Sequence, residues 1–135
     1  MGIFLDTGVL VAVRNADDNR HERSNNLMEK ALKDDFGTIY TSDYIIDEAT
    51  TLALVRTDDP KLAIDVGKYT IDSPRIKILK ISRKDFQATW EKFKSLSDEG
   101  LSFTDCSTLH LMEENRIDKI MSYDSGFDGF KKRIC

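Results

Sequence analysis

Cysteine, proline and histidine are scarce in this 135-residue chain, at two residues each, and there is one tryptophan. Cys106 and Cys135 have no framework spacing and no CxxC pair, so neither a disulfide scaffold nor a thiolate metal site is indicated, and a reducing compartment is expected. Two histidines and two scattered cysteines also lack the ligand spacing of a zinc centre. No run of ~18 apolar residues occurs, and no basic segment followed by an apolar stretch opens the chain, so a soluble, cytoplasmic protein without a membrane partner is expected. Glycine is limited to seven residues, and no repeat, linker or low-complexity segment interrupts the sequence.

What is present is an ordinary globular composition, 40% hydrophobic and 33% charged, of a length that suits one domain spanning residues 1–135. The net charge of −4 argues against a surface that coats duplex nucleic acid through a general basic field.

Hydrophobic periodicity alternates between two types. Ile3-Phe4-Leu5 reads as a buried strand, stopped by Asp6, and Val9, Leu10 and Val13 follow at helical spacing. A polar loop, Asn15 to Asn19, leads to a helix from His21 with Leu27, Ala31 and Leu32 inward, closed by Phe36-Gly37. Thr38 to Thr41 is a second strand. Ser42 or Asp43 caps a helix carrying Ile45, Leu52 and Val55, and Asp58-Asp59-Pro60 ends it and starts another that reaches Ile71. Ile76 to Ile81 is a third strand, and Ser82 caps a helix whose Phe86, Trp90 and Phe93 form a core stripe. A helix from about Ser102 to Asn115, a strand from Lys119 to Tyr123, a turn at Asp124-Ser125-Gly126 and a short edge strand ending at Ile134 complete the chain. Strands separated by helices predict an α/β fold with a mostly parallel central sheet covered on both faces.

Four acids stand where carboxylates are costly. Asp6 and Asp124 follow strands, at the sheet edge where α/β sites form. Glu48 falls in line with Ile45, Leu52 and Val55, and Asp105 shares a stripe with Leu109 and Met112, so both are expected to face inward. Each has a plain alternative: Asp6 as an N-cap, Asp105 in a capping box after Ser102, Asp124 in a turn, and Glu48 on a helix whose phase differs. Taken together they suit a hard cation such as Mg²⁺ or Mn²⁺, held by oxygen ligands with positions open for phosphate chemistry. His110 lies about 140° around its helix from Asp105 and is not expected in that set. His21 reads as a surface residue and Asp128 as a solvated one.

The segments Phe4-Leu5-Asp6-Thr7-Gly8-Val9-Leu10, Ile46-Asp47-Glu48-Ala49-Thr50, Leu101-Ser102-Phe103-Thr104-Asp105-Cys106 and Ser122-Tyr123-Asp124-Ser125-Gly126-Phe127 resemble, in order and at comparable spacing, the four acidic motifs of the PIN-domain family. The resemblance covers the whole chain. It implies a three-layer α/β/α fold and a Mg²⁺- or Mn²⁺-dependent ribonuclease similar to the toxins of prokaryotic toxin–antitoxin pairs. Asp6, Glu48, Asp105 and Asp124 would be its catalytic, metal-holding acids, with Thr7, Thr104 and Ser122 orienting their carboxylates. Gly8 departs from the small polar residue frequent in the family at that place. The partners implied are RNA, a small antitoxin that directs a basic residue into the acidic pocket, and a second copy in a homodimer, for which Val55, Ile64 and Tyr69 are candidate surface residues. Two rival readings stand beside it: a non-catalytic PIN-like module that binds RNA or protein, and a dimeric aspartic protease suggested by Asp6-Thr7-Gly8, which is disfavoured by the helical content.

Overall fold

The computed structural model describes residues 1–135. In chain order it contains β1 (Gly2–Leu5), α1 (Thr7–Arg14), α2 (His21–Leu32), β2 (Thr38–Ser42), α3 (Asp43–Thr57), α4 (Pro60–Asp72), β3 (Ile76–Leu79), α5 (Arg83–Ser95), α6 (Phe103–Glu114), β4 (Lys119–Met121) and β5 (Lys132–Ile134). The five strands form one sheet in the order β3-β2-β1-β4-β5, every pair parallel. This is the expected α/β architecture, with a sheet that is wholly rather than mostly parallel.

The strand order determines where a site can form. From β1 through β2 to β3 the chain moves in one direction across the sheet, and the connection from β3 to β4 returns across it. Right-handed crossovers then put α1 to α4 on one face and α5 and α6 on the other. The packing of α1 against α2, α3 and α4, and of α5 against α6, agrees with these two layers. The order reverses between β1 and β4, so a crevice opens beyond the carboxyl ends of those two strands. Their register, Leu5 beside Met121, brings Asp6 and Ser122 side by side just past the sheet.

Local chemistry sets the element boundaries. Ser82 and Ser102 each form a capping box, with Asp85 and Asp105 at the third helical position, and Ser42 and Asp59 cap α3 and α4. Gly37 adopts φ +83° in the turn between α2 and β2, a left-handed conformation that glycine accommodates without strain. β3 stops at Leu79 rather than Ile81, because the Ile81 N–H donates to the Asp43 carboxylate (3.2 and 3.3 Å) instead of to a strand.

Ile3, Phe4, Leu5, Leu10, Ile39, Leu109, Met112 and Ile120 are fully buried around the sheet. Three expected inward faces are corrected. On α3 the buried residues are Ile45, Ala49 and Ala53, whereas Leu52 is half-buried and Val55 is 75% exposed. Leu32, at the end of α2, is exposed, and the buried face of that helix is Ser24, Leu27, Met28 and Ala31. On α5 only Thr89 is buried; Phe86 and Trp90 are 49% and 42% exposed. Phe86 packs on Phe103 and Trp90 stacks on Phe93, so these two cover the surface over the half-buried Phe93 and Phe103 rather than entering the core. The parallel sheet with six helices is also incompatible with the strand-built aspartic protease considered for Asp6-Thr7-Gly8.

Candidate active site

Asp6 occupies the first position after β1 and caps α1. Its Oδ1 accepts the Thr7 N–H at 2.8 Å, and its Oδ2 accepts the Ser122 hydroxyl at 2.6 Å from the end of β4. The N-cap reading of Asp6 is therefore correct as local geometry, yet the cap does not account for the bond from Ser122. Burial pushes the Asp6 carboxyl up to about 6, against the lowering effect of the Ser122 and Thr7 hydrogen bonds, and the charges of Asp105 and Glu48 push it the same way as burial.

The other three acids are likewise held locally by one oxygen. Glu48, on the flank of the buried face of α3, accepts the Thr7 hydroxyl on Oε1 at 2.6 Å. Asp105 completes its capping box by accepting the Ser102 N–H on Oδ2 at 3.0 Å. Asp124 accepts the Gly126 N–H on Oδ1 at 2.8 Å, and its own N–H donates to Ser122 Oγ at 3.0 Å. In each of the three the second carboxylate oxygen makes no hydrogen bond within the protein: Oε2 of Glu48, Oδ1 of Asp105 and Oδ2 of Asp124. Burial raises the Asp105 carboxyl as well, with a further push from the charge of Asp124. Asp124 itself is exposed, so the four acids are graded from buried to open rather than uniformly inward.

All four line one cleft of about 260 Å³, together with Thr7, Gly8, Arg20, Leu52, Arg56 and Tyr123. A larger cavity of about 490 Å³ along α2 has a single carboxylate, Glu22, among its lining residues. Size alone therefore does not mark the site. Convergent like charges do, because carboxylates that raise one another's proton affinity share a pocket at a cost.

The donor set suits a hard cation. Every candidate ligand is a carboxylate oxygen, the mutual repulsion felt by Asp6 and Asp105 is the kind a positive ion relieves, and three of the acids have an oxygen to spare. No three acid, histidine or cysteine side chains converge into a ready cage.

The Ser122 and Thr7 hydroxyls each donate to one acid carboxylate, whereas Thr104 bonds to no carboxylate and lines an adjoining hollow with Asp47, Glu48, Thr51, Leu52 and Val55. His110 is paired with Asp85 of α5 at 2.8 Å, away from the acids, and His21 Nδ1 lies 2.7 Å from the Ala12 carbonyl. Asp128 forms an ion pair with Arg133 at 2.7 Å rather than being simply solvated. Arg20, Arg56 and Tyr123 join the cleft without a role expected from the sequence: an arginine before one helix and another in the last turn of a second form no pattern, and Tyr123 reads only as a strand end beside Asp124 in the fourth motif.

A sequence model described as PIN domain matches residues 3–132. A search of curated proteins finds no match. Among solved structures, the chain is similar to VapC20 of Mycobacterium tuberculosis, described as a sarcin–ricin loop cleaving toxin, with 22% identity, a TM-score of 0.82, and 95% of this chain and 94% of that chain covered. It is also similar to VapBC2 of Rickettsia felis bound to a promoter DNA fragment (19% identity, TM-score 0.65, 99% and 98% covered). FitAcB of Neisseria gonorrhoeae is a third (17% identity, TM-score 0.66, 98% and 96% covered).

Proposed function

Because the chain belongs to the PIN-domain family, we propose that it is a divalent-metal-dependent endoribonuclease and the toxin of a toxin–antitoxin pair. The observation that carries the reading is the convergence of Asp6, Glu48, Asp105 and Asp124 on one cleft at the point where the strand order reverses. The similarity to a sarcin–ricin loop cleaving toxin supports single-stranded or structured RNA as the substrate class.

In this reading Asp6, Glu48, Asp105 and Asp124 would hold Mg²⁺ or Mn²⁺. The chemistry such an ion supplies when bound is a more acidic water and neutralisation of the charge that builds on a phosphodiester under attack. The chain's own residues prepare the site. Thr7 and Ser122 fix the Glu48 and Asp6 carboxylates by donating to them, and the capping box fixes Asp105. Asp6, the most buried of the four, holds its place between β1 and β4 and anchors the array. Water attacks phosphorus, one P–O bond breaks, and no protein nucleophile is required.

The single-domain organisation expected from the length belongs to the same proposal, as do a cytoplasmic setting and a small antitoxin that places a basic residue among the acids. No helix is long and apolar enough to cross a membrane. A homodimer is proposed through the α3–α4 face, where Leu54, Ile64 and Ile71 are exposed around one groove; Val55, also exposed, lines the hollow beside Glu48, and Tyr69 is half-buried under Arg14, so neither is part of that groove. The test of the function is incubation of purified protein with single-stranded and loop-containing RNA. Cleavage that needs Mg²⁺ or Mn²⁺ and stops with chelator supports the nuclease, and RNA binding without turnover establishes the non-catalytic module instead.

A further inference from the structure

Two arginines line the acidic cleft, yet neither enters into an ion pair with the acids around it. Arg20, just before α2, and Arg56, in the last turn of α3, are absent from every side-chain ion pair and hydrogen bond in the molecule. Seven other lysines and arginines, Arg14, Arg75 and Arg133 among them, each find a carboxylate partner elsewhere on the surface. Free guanidinium groups beside four carboxylates keep their full hydrogen-bonding capacity for an anion.

Arg20 is also held in place. Its guanidinium lies over the Tyr123 ring, 4.5 Å from the centroid, and the Tyr123 hydroxyl is fixed by a 2.7 Å hydrogen bond to the buried Ser24. Stacking of this kind restrains a planar fork without consuming its donors. Its backbone is restrained as well, because the Arg20 N–H donates to Asp18 Oδ1 at 2.9 Å.

Both arginines also border a second, wholly polar basin of about 500 Å³, lined with Gly8, Asn15, Asp17, Asp18 and Asn19. Gly8, Arg20 and Arg56 are shared by the basin and the acidic cleft, and a Cβ on Gly8 would meet no atom within 4 Å, so the floor between them is open. Asp17 and Asp18 make the basin itself unfavourable for an anion. The place left for a phosphate is the junction, between the two arginines.

We propose that Arg20 and Arg56 form a clamp for the RNA backbone, gripping a phosphodiester next to the one cleaved at the junction above Gly8, where the acidic cleft meets the polar basin. The clamp rests on the ribonuclease reading above and adds to it the residues that hold the strand beside the site. It reads the backbone rather than the bases, and so contributes affinity independent of sequence.

The test is steady-state cleavage of a single-stranded RNA oligonucleotide by the full chain with Mg²⁺, at several salt concentrations. Arg20→Gln and Arg56→Gln are expected to raise KM about 10-fold each while kcat stays within about twofold, and to reduce the dependence of log KM on log salt by about 0.7 per arginine, the value for one phosphate contact on a single strand. Arg75→Gln, whose guanidinium pairs with Asp34 outside the cleft, is the control and should leave the salt dependence unchanged. Arg20→Lys should recover the salt dependence but only part of the KM, since it keeps charge without the stacked fork. Active protein in which neither glutamine variant changes KM or the salt dependence overturns the clamp and leaves the nuclease standing. Wild-type protein that cleaves no RNA overturns both.

Discussion

The Ser122 hydroxyl donates a 2.6 Å hydrogen bond to Asp6 Oδ2, joining the ends of two strands 116 residues apart in the chain. Ser122 also accepts the Asp124 N–H, so one hydroxyl positions two of the four acids. Replacing it with alanine removes a charge-assisted bond from a buried carboxylate, at a cost of about 1.5–3 kcal/mol near neutral pH. Because that bond lowers the Asp6 pKa, its loss should move the titration further above about 6. Chemical denaturation and an NMR titration of Asp6 in Ser122→Ala check both effects, and Mg²⁺ affinity should fall about 10- to 100-fold with them.

Asp6→Asn is expected to abolish cleavage and yet to stabilise the ion-free protein at pH 7. The Asp6 carboxyl titrates at about 6 in the folded chain, against 3.8 as its ordinary value. A raised acid stabilises the fold fully only below the lower value, and that contribution is lost as pH rises through the higher one. At 1.36 kcal/mol per unit the loss amounts to about 3 kcal/mol above pH 6. Asparagine keeps an acceptor for the Thr7 N–H without the charge. Denaturation curves from pH 4 to 7.5 should therefore fall with pH in the wild type more steeply than in Asp6→Asn. Equal slopes would show that Asp6 is not the strained group.

The same sign gives the response to metal. A cation that binds only ionised carboxylates should raise the melting temperature little near pH 4 and increasingly as pH rises through 6, and chelator should remove the gain. Asp105→Asn should blunt it, since Asp105 is raised by burial and by Asp124 in the same cleft. Thermal melts with and without Mg²⁺ across that range measure the effect directly.

The parts of this architecture legible in the sequence were those governed by local rules. Strand, acid and helix follow one another at Leu5, Asp6 and Thr7 because an N-cap and a strand end leave distinct traces, and Ser82 and Ser102 were readable as caps for the same reason. The phase of α3 was not, because Leu52 and Val55 outweigh Ala49 and Ala53 in any hydropathy pattern. It is the small alanines that let the helix approach its neighbours closely. Periodicity likewise finds the Phe86, Trp90, Phe93 stripe but says nothing of whether another element covers it. Arg20 and Arg56 meet Asp6 only through tertiary folding, and no spacing in the chain announces that.

The exposed α3–α4 face carries its own prediction. Ile64, 62% exposed, lines an apolar groove together with the exposed Leu54 and Ile71. Apolar residues grouped in this way mark association surfaces more often than free ones. If two copies pair there, Ile64→Asp should give the monomer mass by light scattering at concentrations where the wild type gives the dimer, with far-UV circular dichroism unchanged.

Inhibition by a partner follows from the electrostatics of the cleft. If the chain is a toxin, its four carboxylates, three of which have an oxygen without a protein partner, are the target for a silencing partner. An arginine or lysine from an antitoxin can satisfy several of these oxygens at once, in competition with metal. Growth should therefore stop when the chain is expressed alone and recover when the product of its genomic neighbour is co-expressed and co-purifies. Asp124→Asn, which removes an exposed charge with little effect on the fold, should weaken that complex as well as cleavage, measurable by calorimetry at low and high salt. A neighbour that binds Asp124→Asn as tightly as it binds the wild type would place its contact outside the acidic cleft, and harmless expression of an active nuclease would remove the toxin from the proposal.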